Sequence, residues 1–292
     1  MPALDPAYED AAAVREVIAE LLTREDSTGA FVSVAGQPVA YVLGAPRTDP
    51  RWGANVFVEE AGFAGTDVEA IREAYAAAAA AWVEAGRVNH AAVVNALDPL
   101  HVEAWFSLSF GKQHVHALMP RVDDSYNVTP HDQLTIRLKE LRDIHALAAL
   151  GQVVPAHVNT SPTFSFIPVP PYEETLAEVE EDFHNEAYTE FVAEHEGRVI
   201  ATAVACSLEV SGMTTKLMRP QSAGFLGHAA VLPEGRGLGA GRALGQTVIA
   251  WSRDEGYEWV ATDWRSANLE ANRTWLGLGF KPSFFRMHRL IG

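Results

Sequence analysis

Val231-Leu232-Pro233-Glu234-Gly235-Arg236-Gly237-Leu238-Gly239-Ala240-Gly241-Arg242-Ala243-Leu244 is the stretch from which the fold can be read. The apolar run Phe225 to Leu232 leads into it as a strand. Pro233 and the glycines at alternate positions 235, 237, 239 and 241 then force a tight turn bare of side chains. Ala243, Leu244, Val248, Ile249 and Trp251 follow at helical spacing. A strand that enters a helix through such a turn leaves several backbone N–H groups without intrahelical partners, and the positive end of the helix dipole lies behind them. This arrangement suits a phosphate or pyrophosphate, because any Cβ in the turn would hold the anion away from the backbone.

Two readings of the turn compete. Gly235-Arg236-Gly237-Leu238-Gly239-Ala240 fits the loose dinucleotide fingerprint GxGxxA, with Asp263 at the end of the next apolar run as a ribose-binding acid. That would make the chain a nicotinamide-dependent oxidoreductase. The other reading takes Arg236-x-x-Gly239-x-Gly241 after Val231-x-Pro233, which resembles the acyl-CoA-binding motif of the GNAT superfamily of N-acyltransferases. Downstream, Asn268-x-x-Ala271-x-x-x-Trp275 and Gly279-Phe280 resemble that superfamily's last strand–helix segment. The elements between also fit: a helix to about Asp254, a strand from Trp259 to Thr262 and a short helix from Asn268 to Leu276.

The resemblance implies an α/β fold with a twisted mixed sheet flanked by helices, and direct transfer of an acyl group, acetyl by preference, from acetyl-CoA to a primary amine in a ternary complex. It implies that Ala229, Ala230 and Val231 pair with the pantetheine arm. Arg236, Gly237, Leu238, Gly239, Ala240, Gly241 and Arg242 would cradle the pyrophosphate, and Asn268 would bond the pantetheine. Family members usually carry a tyrosine where this chain has Trp275. An indole N–H does not titrate usefully, so Trp275 is expected to pack on the CoA side rather than to protonate the leaving thiol. Family members often place the general base on or near the strand before the turn. His228 is the titratable side chain within that strand, and Glu209 on the preceding one is the second candidate. His228 lies three residues from Val231, so simple alternation puts it on the wrong face unless a bulge turns it round. A CoA-binding sensor or pseudoenzyme is the alternative that the missing phenol favours.

Composition bounds the remainder. The chain has 292 residues, a formal charge of −16 and a single cysteine, Cys206. Its length suggests two domains, and its acidity argues against a nucleic-acid partner. A lone cysteine forms no internal disulfide. With no apolar stretch of membrane-spanning length and no basic-plus-apolar leader, a cytoplasmic protein with no membrane association is expected. Cys206 reads as a small buried residue rather than a nucleophile. His101, His114 and His116 read as ordinary polar positions, and no metal site is expected.

The polar stretch Asp123 to Pro130 divides the chain into residues 1–126 and 130–292. In the second part Leu134 to Leu138 reads as a strand, Leu141 to Leu150 and Glu173 to Phe183 as helices, and Phe191 to Glu194 with Val199 to Glu209 as a hairpin. The first part repeats the order faintly: a helix from Tyr8 to Leu22, a hairpin around Gly36, a strand at Val56 to Val58, a helix from Val68 to Ala85 and a strand from Ala91 to Val94. Asp98, Trp105 and Phe110 repeat the spacing of Asn268, Trp275 and Phe280, which suggests two tandem GNAT-like domains from one duplication. Such a duplication could supply a pseudo-dimer contact within a monomer, and a homodimer is left open. The first part's counterpart of the glycine turn, Glu59 to Asp67, has no arginine and three carboxylates, so it is expected not to bind CoA. Its role would be structural, forming a wall of the acceptor site for a small-molecule or peptide amine.

Overall fold

The repeated pattern builds repeated structure. The computed structural model describes residues 11–49, 53–212, 220 and 222–292. The first part comprises α1 (Ala11–Thr23), β1 (Thr28–Val34), β2 (Gln37–Asp49), β3 (Gly53–Val58), β4 (Phe63–Gly65), α2 (Val68–Glu84), β5 (Asn89–Asn95), α3 (Pro99–Ser107) and β6 (Gly111–Pro120). Tyr8 to Asp10, the expected start of α1, lie outside the described residues. After irregular chain come β7 (Thr135–Leu138), α4 (Ile144–Gly151), α5 (Val153–Val158) and α6 (Tyr172–Asp182). Then follow β8 (Thr189–His195), β9 (Arg198–Ser207), α7 (Leu208–Ser211), β10 (Ala223–Val231), α8 (Ala240–Asp254), β11 (Trp259–Arg265), α9 (Leu269–Leu278) and β12 (Lys281–Leu290). Among the described residues, no helix is long and apolar enough to cross a membrane.

Each repeated residue has the same task in both halves. Asp98 caps α3 by accepting from the Leu100 and His101 amides, and Asn268 caps α9 by accepting from that of Ala271. Trp105 and Trp275 are buried on the helices so capped, and Phe110 and Phe280 are buried where the chain leaves them. The shared spacing thus fixes a capped helix onto the core at three points.

The described strands form one mixed sheet in the order β1-β2-β3-β5-β12-β6-β11-β10-β9-β8-β7, with β4 also paired to β2. The expected mixed α/β architecture is found, but the two halves do not keep separate sheets. Each gives its last strand to the other: β12 lies between β5 and β6, and β6 lies between β12 and β11. β3 with β5 and β10 with β11 are the parallel pairs at equivalent places in the two halves. On one side of the second half, α8 and α9 cover the sheet, crossing so closely at Gly245 that a Cβ there would lie 2.9 Å from the Trp275 ring. On the other side, Leu147 and Leu150 of α4 pack on Val192 and Ala230. Arg137 fixes α4 there through two bonds to the buried Asp143 carboxylate, at 2.6 and 2.9 Å, and two to Glu194, at 3.1 and 3.0 Å.

The exchanged strands bury a titratable group. His116 of β6 lies opposite Asp263 of β11 and Phe284 of β12, and desolvation pushes its imidazole down to about 4. Its folded value is below the unfolded one near ~6.5, so the unfolded chain binds more protons as the pH falls. Stability is therefore lost as acid brings the pH through that interval, by about 3 kcal/mol for this group. Urea unfolding at several pH values is expected to show the loss, and His116→Gln to flatten it. An unchanged pH slope in the variant would contradict this burial.

Candidate active site

The glycine turn is built as the sequence requires. Pro233 to Gly235 form a short 3-10 turn, and Gly237 and Gly239 take positive φ of 81° and 79°. Helix α8 begins at Ala240 with Gly239 as its cap and without a capping side chain. The amides of Ala240, Gly241 and Arg242 precede the first bond that closes the helix, from the Ala243 N–H to the Gly239 carbonyl at 3.0 Å. These three residues line a cavity of about 450 Å³ together with Arg236, Ala229 to Val231, Asn268 and Trp275. The turn, the strand before it and the downstream motif therefore meet in one place. Asn268 spends its carboxamide oxygen on the α9 cap at 3.1 Å, which leaves its amide nitrogen as a donor for the cavity.

What opens this cavity is a break in strand pairing. Strands β10 and β11 pair in parallel only from Ala223 to Leu226. A bulge then falls between Leu226 and Ala229 in the pairing of β10 with β9. Beyond it β10 continues to Val231 beside β9 but no longer beside β11, so its β11-facing backbone edge is left unpaired by the sheet. The hydroxyl of Thr262 donates to the Leu226 carbonyl at 2.9 Å, at the point where the pairing ends.

A second cavity, of about 300 Å³, lies against the first; Val154, Ala229, Asn268, Ala271 and Trp275 line both. His228 is in the bulge and lines this second cavity. Its Nε2 is buried and has no hydrogen-bond partner among the described residues. Burial holds the imidazole below its ordinary value, against the charge of Glu190, so it is neutral at neutral pH. Across the cavity stand Asp263 of β11 and His114 of β6, with Nε2 of the histidine 3.0 Å from Oδ1 of the carboxylate. Burial raises Asp263, but its contacts with His114, His116 and Arg286 bring it below the usual carboxylate range. Desolvation lowers His114.

Several expectations are met differently by the structure. Glu209 lies in α7 rather than in a strand, because the Ser207 hydroxyl caps Val210 and starts a helical turn. It is exposed and lines neither cavity. Asp263 is not at a strand tip where a ribose would lie; it is mid-strand and held by His114. His114 is not an ordinary polar position but a buried group of the second cavity, and Arg265 and Arg286 also line it. Spacing within the sequence gives no signal for these residues, since the exchanged strands bring them together. Cys206 is buried and its thiol is pushed up to about 11, which suits the packing role. Among the described residues, no group of three or more His, Cys, Asp or Glu is placed to hold a metal ion.

The counterpart turn in the first half, residues 59–67, carries side chains where the second half has glycine. Phe63 is buried there, edge-on to Trp105 at 5.1 Å. Asp67 caps α2 through the Ala70 amide, where the equivalent end of α8 has only glycine. Glu59 is held by Arg24 at 3.0 Å and Arg47 at 3.1 Å.

Comparison with known proteins bears on both halves. The acetyltransferase (GNAT) family model matches residues 157–280. The chain is 38% identical over 100 residues to N-acetyltransferase 8B of Homo sapiens, covering 33% of this chain and only 41% of that relative's length. It is 31% identical over 113 residues to aminoglycoside N(6')-acetyltransferase type 1 of Stenotrophomonas maltophilia, covering 35% of this chain and 74% of the relative. Among solved structures, a GCN5-related N-acetyltransferase from Sphaerobacter thermophilus superposes with a TM-score of 0.59 at 14% identity, covering 99% of this chain and 89% of that one. A tandem GNAT protein from the clavulanic acid biosynthesis pathway gives 0.50 at 14% identity, covering 96% and 88%. These two likenesses extend the fold over both halves, and the match across 74% of the bacterial relative shows that the chain belongs to the GNAT family of acetyltransferases.

Proposed function

We propose that the chain transfers an acetyl group from acetyl-CoA to the primary amine of a small molecule, by direct attack in a ternary complex. The observation that carries this reading is the parting of β10 from β11, which joins the bare glycine turn to a second cavity lined by an imidazole whose buried Nε2 has no hydrogen-bond partner among the described residues. The residues present fit the donor. The bare turn receives a pyrophosphate, the unpaired edge of β10 receives the pantetheine amides, and the cavity between them has room for the arm. The donor supplies an activated thioester. Amides of β10 hold and polarise its carbonyl, and His228 takes the proton of the acceptor ammonium. The amine lone pair forms the C–N bond, the C–S bond breaks, and the proton released by the amine ends on the sulfur. A thiol of ordinary pKa, ~8.5, leaves without an acid, so Trp275 need only pack.

A sensor that only bound CoA would have no use for the buried base and the second cavity, and this favours the enzyme. The relatives' names point to amine acceptors, one of them an aminoglycoside. In this reading the first half, residues 1–126, does not bind CoA, and through β6 it supplies one wall of the acceptor cavity.

Two measurements test the reading. Calorimetric titration with CoA is expected to saturate at one site per chain. Gly241→Glu is expected to lower that affinity ~100-fold or more while the fold is kept, since a Cβ there makes only ordinary contact with Val231 at 3.8 Å and a carboxylate suits a helix N-terminus. Gly239 is a poorer choice, because its φ is positive and a Cβ would lie 3.2 Å from the His131 ring. Retained CoA affinity in a folded Gly241→Glu would contradict the placement of the pyrophosphate. For the base, thiol release with a panel of amines should fall in acid with a midpoint below the ordinary histidine value of ~6.5, because burial depresses His228. His228→Ala should lose ~10²-fold or more in kcat together with that acid limb. A variant with wild-type rate and profile would remove His228 from the mechanism.

A further inference from the structure

The pairing of β10 with β11 ends at Leu226 and Thr262, so Asp263 is the first residue of β11 beyond the fork, as Gly227 and His228 are the first of β10. Asp263 and His228 line the second cavity together, and Asp263 is the single carboxylate among the residues that line it. Its Oδ1 lies 3.0 Å from His114 Nε2. Its Oδ2 is buried and has no hydrogen-bond partner among the described residues, and the same holds for His228 Nε2. Arg265 and Arg286 also line the cavity, but neither bonds to Oδ2; Arg286 donates its Nε to Gln113 Oε1 at 2.9 Å. Burial opposes the charge of Asp263, yet the neighbouring His114, His116 and Arg286 keep it ionised at neutral pH. An ionised oxygen shut off from water without a donor is costly, and the cost is removed when a ligand brings one. A carboxylate oxygen and an imidazole nitrogen, on the two arms of one fork, together suit a group with several N–H bonds and a positive charge.

We infer that Asp263 is the ammonium-binding residue of the acceptor site, and that the acceptor is a small primary amine with one positive charge on an apolar body. The ammonium donates one hydrogen to Asp263 Oδ2 and another to His228 Nε2, which holds its nitrogen in the fork where the thioester carbonyl is polarised. The Asp263 side chain keeps 14% of its surface open, so a ligand can reach it, and its last torsion turns at little cost. Val154 and Val158 of α5, Ile167, Ala271 and Trp275 give an apolar lining to the remainder of the ligand. The size agrees: about 300 Å³ is at the lower end for a ligand pocket. A second ammonium would meet no further carboxylate on this lining, and a charge buried without a partner is expensive. The inference rests on the transferase reading only for the transfer step; the binding assignment stands on the cavity itself.

The experiment uses the full chain saturated with CoA. Calorimetry compares phenethylamine and isoamylamine with phenethyl alcohol and isoamyl alcohol, which share their shapes but carry no charge. With acetyl-CoA in place of CoA, thiol release is followed for the same amines, spermidine and kanamycin. Each amine is expected to bind at least ~10-fold more tightly than its alcohol, and one or both to exceed the two polycations in kcat/KM. Asp263→Asn, which keeps the shape of the side chain, should abolish the preference for amine over alcohol and raise the KM for the amine ~10-fold or more. The KM for acetyl-CoA and the affinity for the alcohol should stay as they are, whereas a purely structural role of Asp263 would move amine and alcohol together. Amines that bind no better than their alcohols to the wild-type chain would overturn the inference whether or not the variant folds. So would a preference that survives in a folded Asp263→Asn, or a polycation used better than both monoamines, while acetyl transfer itself stands. If no amine is turned over, an ammonium preference that depends on Asp263 upholds the site and removes the transferase reading.

Discussion

The structure depends on one local event, the separation of β10 from β11 after Leu226. While the two strands pair, every backbone group between them is satisfied within the sheet. Once the bulge at Gly227 and His228 ends that pairing, the polar edge of β10 faces a gap that an amide-bearing ligand can fill. The same bulge turns His228 towards the second cavity, on the far side of Ala229 from the glycine turn. The open backbone edge of β10 and the placement of His228 are therefore consequences of a single irregularity in one strand. The first half retains the parallel strand pair, and in its counterpart turn Phe63 is buried, Asp67 caps α2 and Glu59 is held by two arginines.

Exchange of the terminal strands gives the first half its share in the site. Because β6 lies between β11 and β12, His114 is delivered to Asp263, and Arg286 joins Arg265 across it. The exchange thus makes the two halves depend on each other for the wall of the second cavity as well as for their hydrogen bonds.

What could be read from the sequence follows from how local each constraint is. The glycine turn was legible because positive φ at Gly237 and Gly239 leaves its mark in residue choice. The internal repeat was legible because a capping Asp98 or Asn268 and two buried aromatics must keep fixed helical spacing. The face on which His228 lies was not fixed by alternation, since one bulged residue reverses it. Glu209 followed a run that reads as strand, and the Ser207 cap overrode it. The pair His114 and Asp263 and the row Arg265, His114, Arg286 could not be read at all, because their partners lie far apart in the chain and meet only through strand order.

The gap between β10 and β11, with the amides of the following turn, is where we propose that the nucleotide thioester is held. The most direct test is a crystal structure of the full chain grown with CoA. The pyrophosphate is expected against the amides of residues 237–242 and the pantetheine bonded to the edge of Ala229 to Val231. Density for the nucleotide at Glu59 to Asp67, or a CoA complex in which the gap beside β10 stays closed, would contradict it.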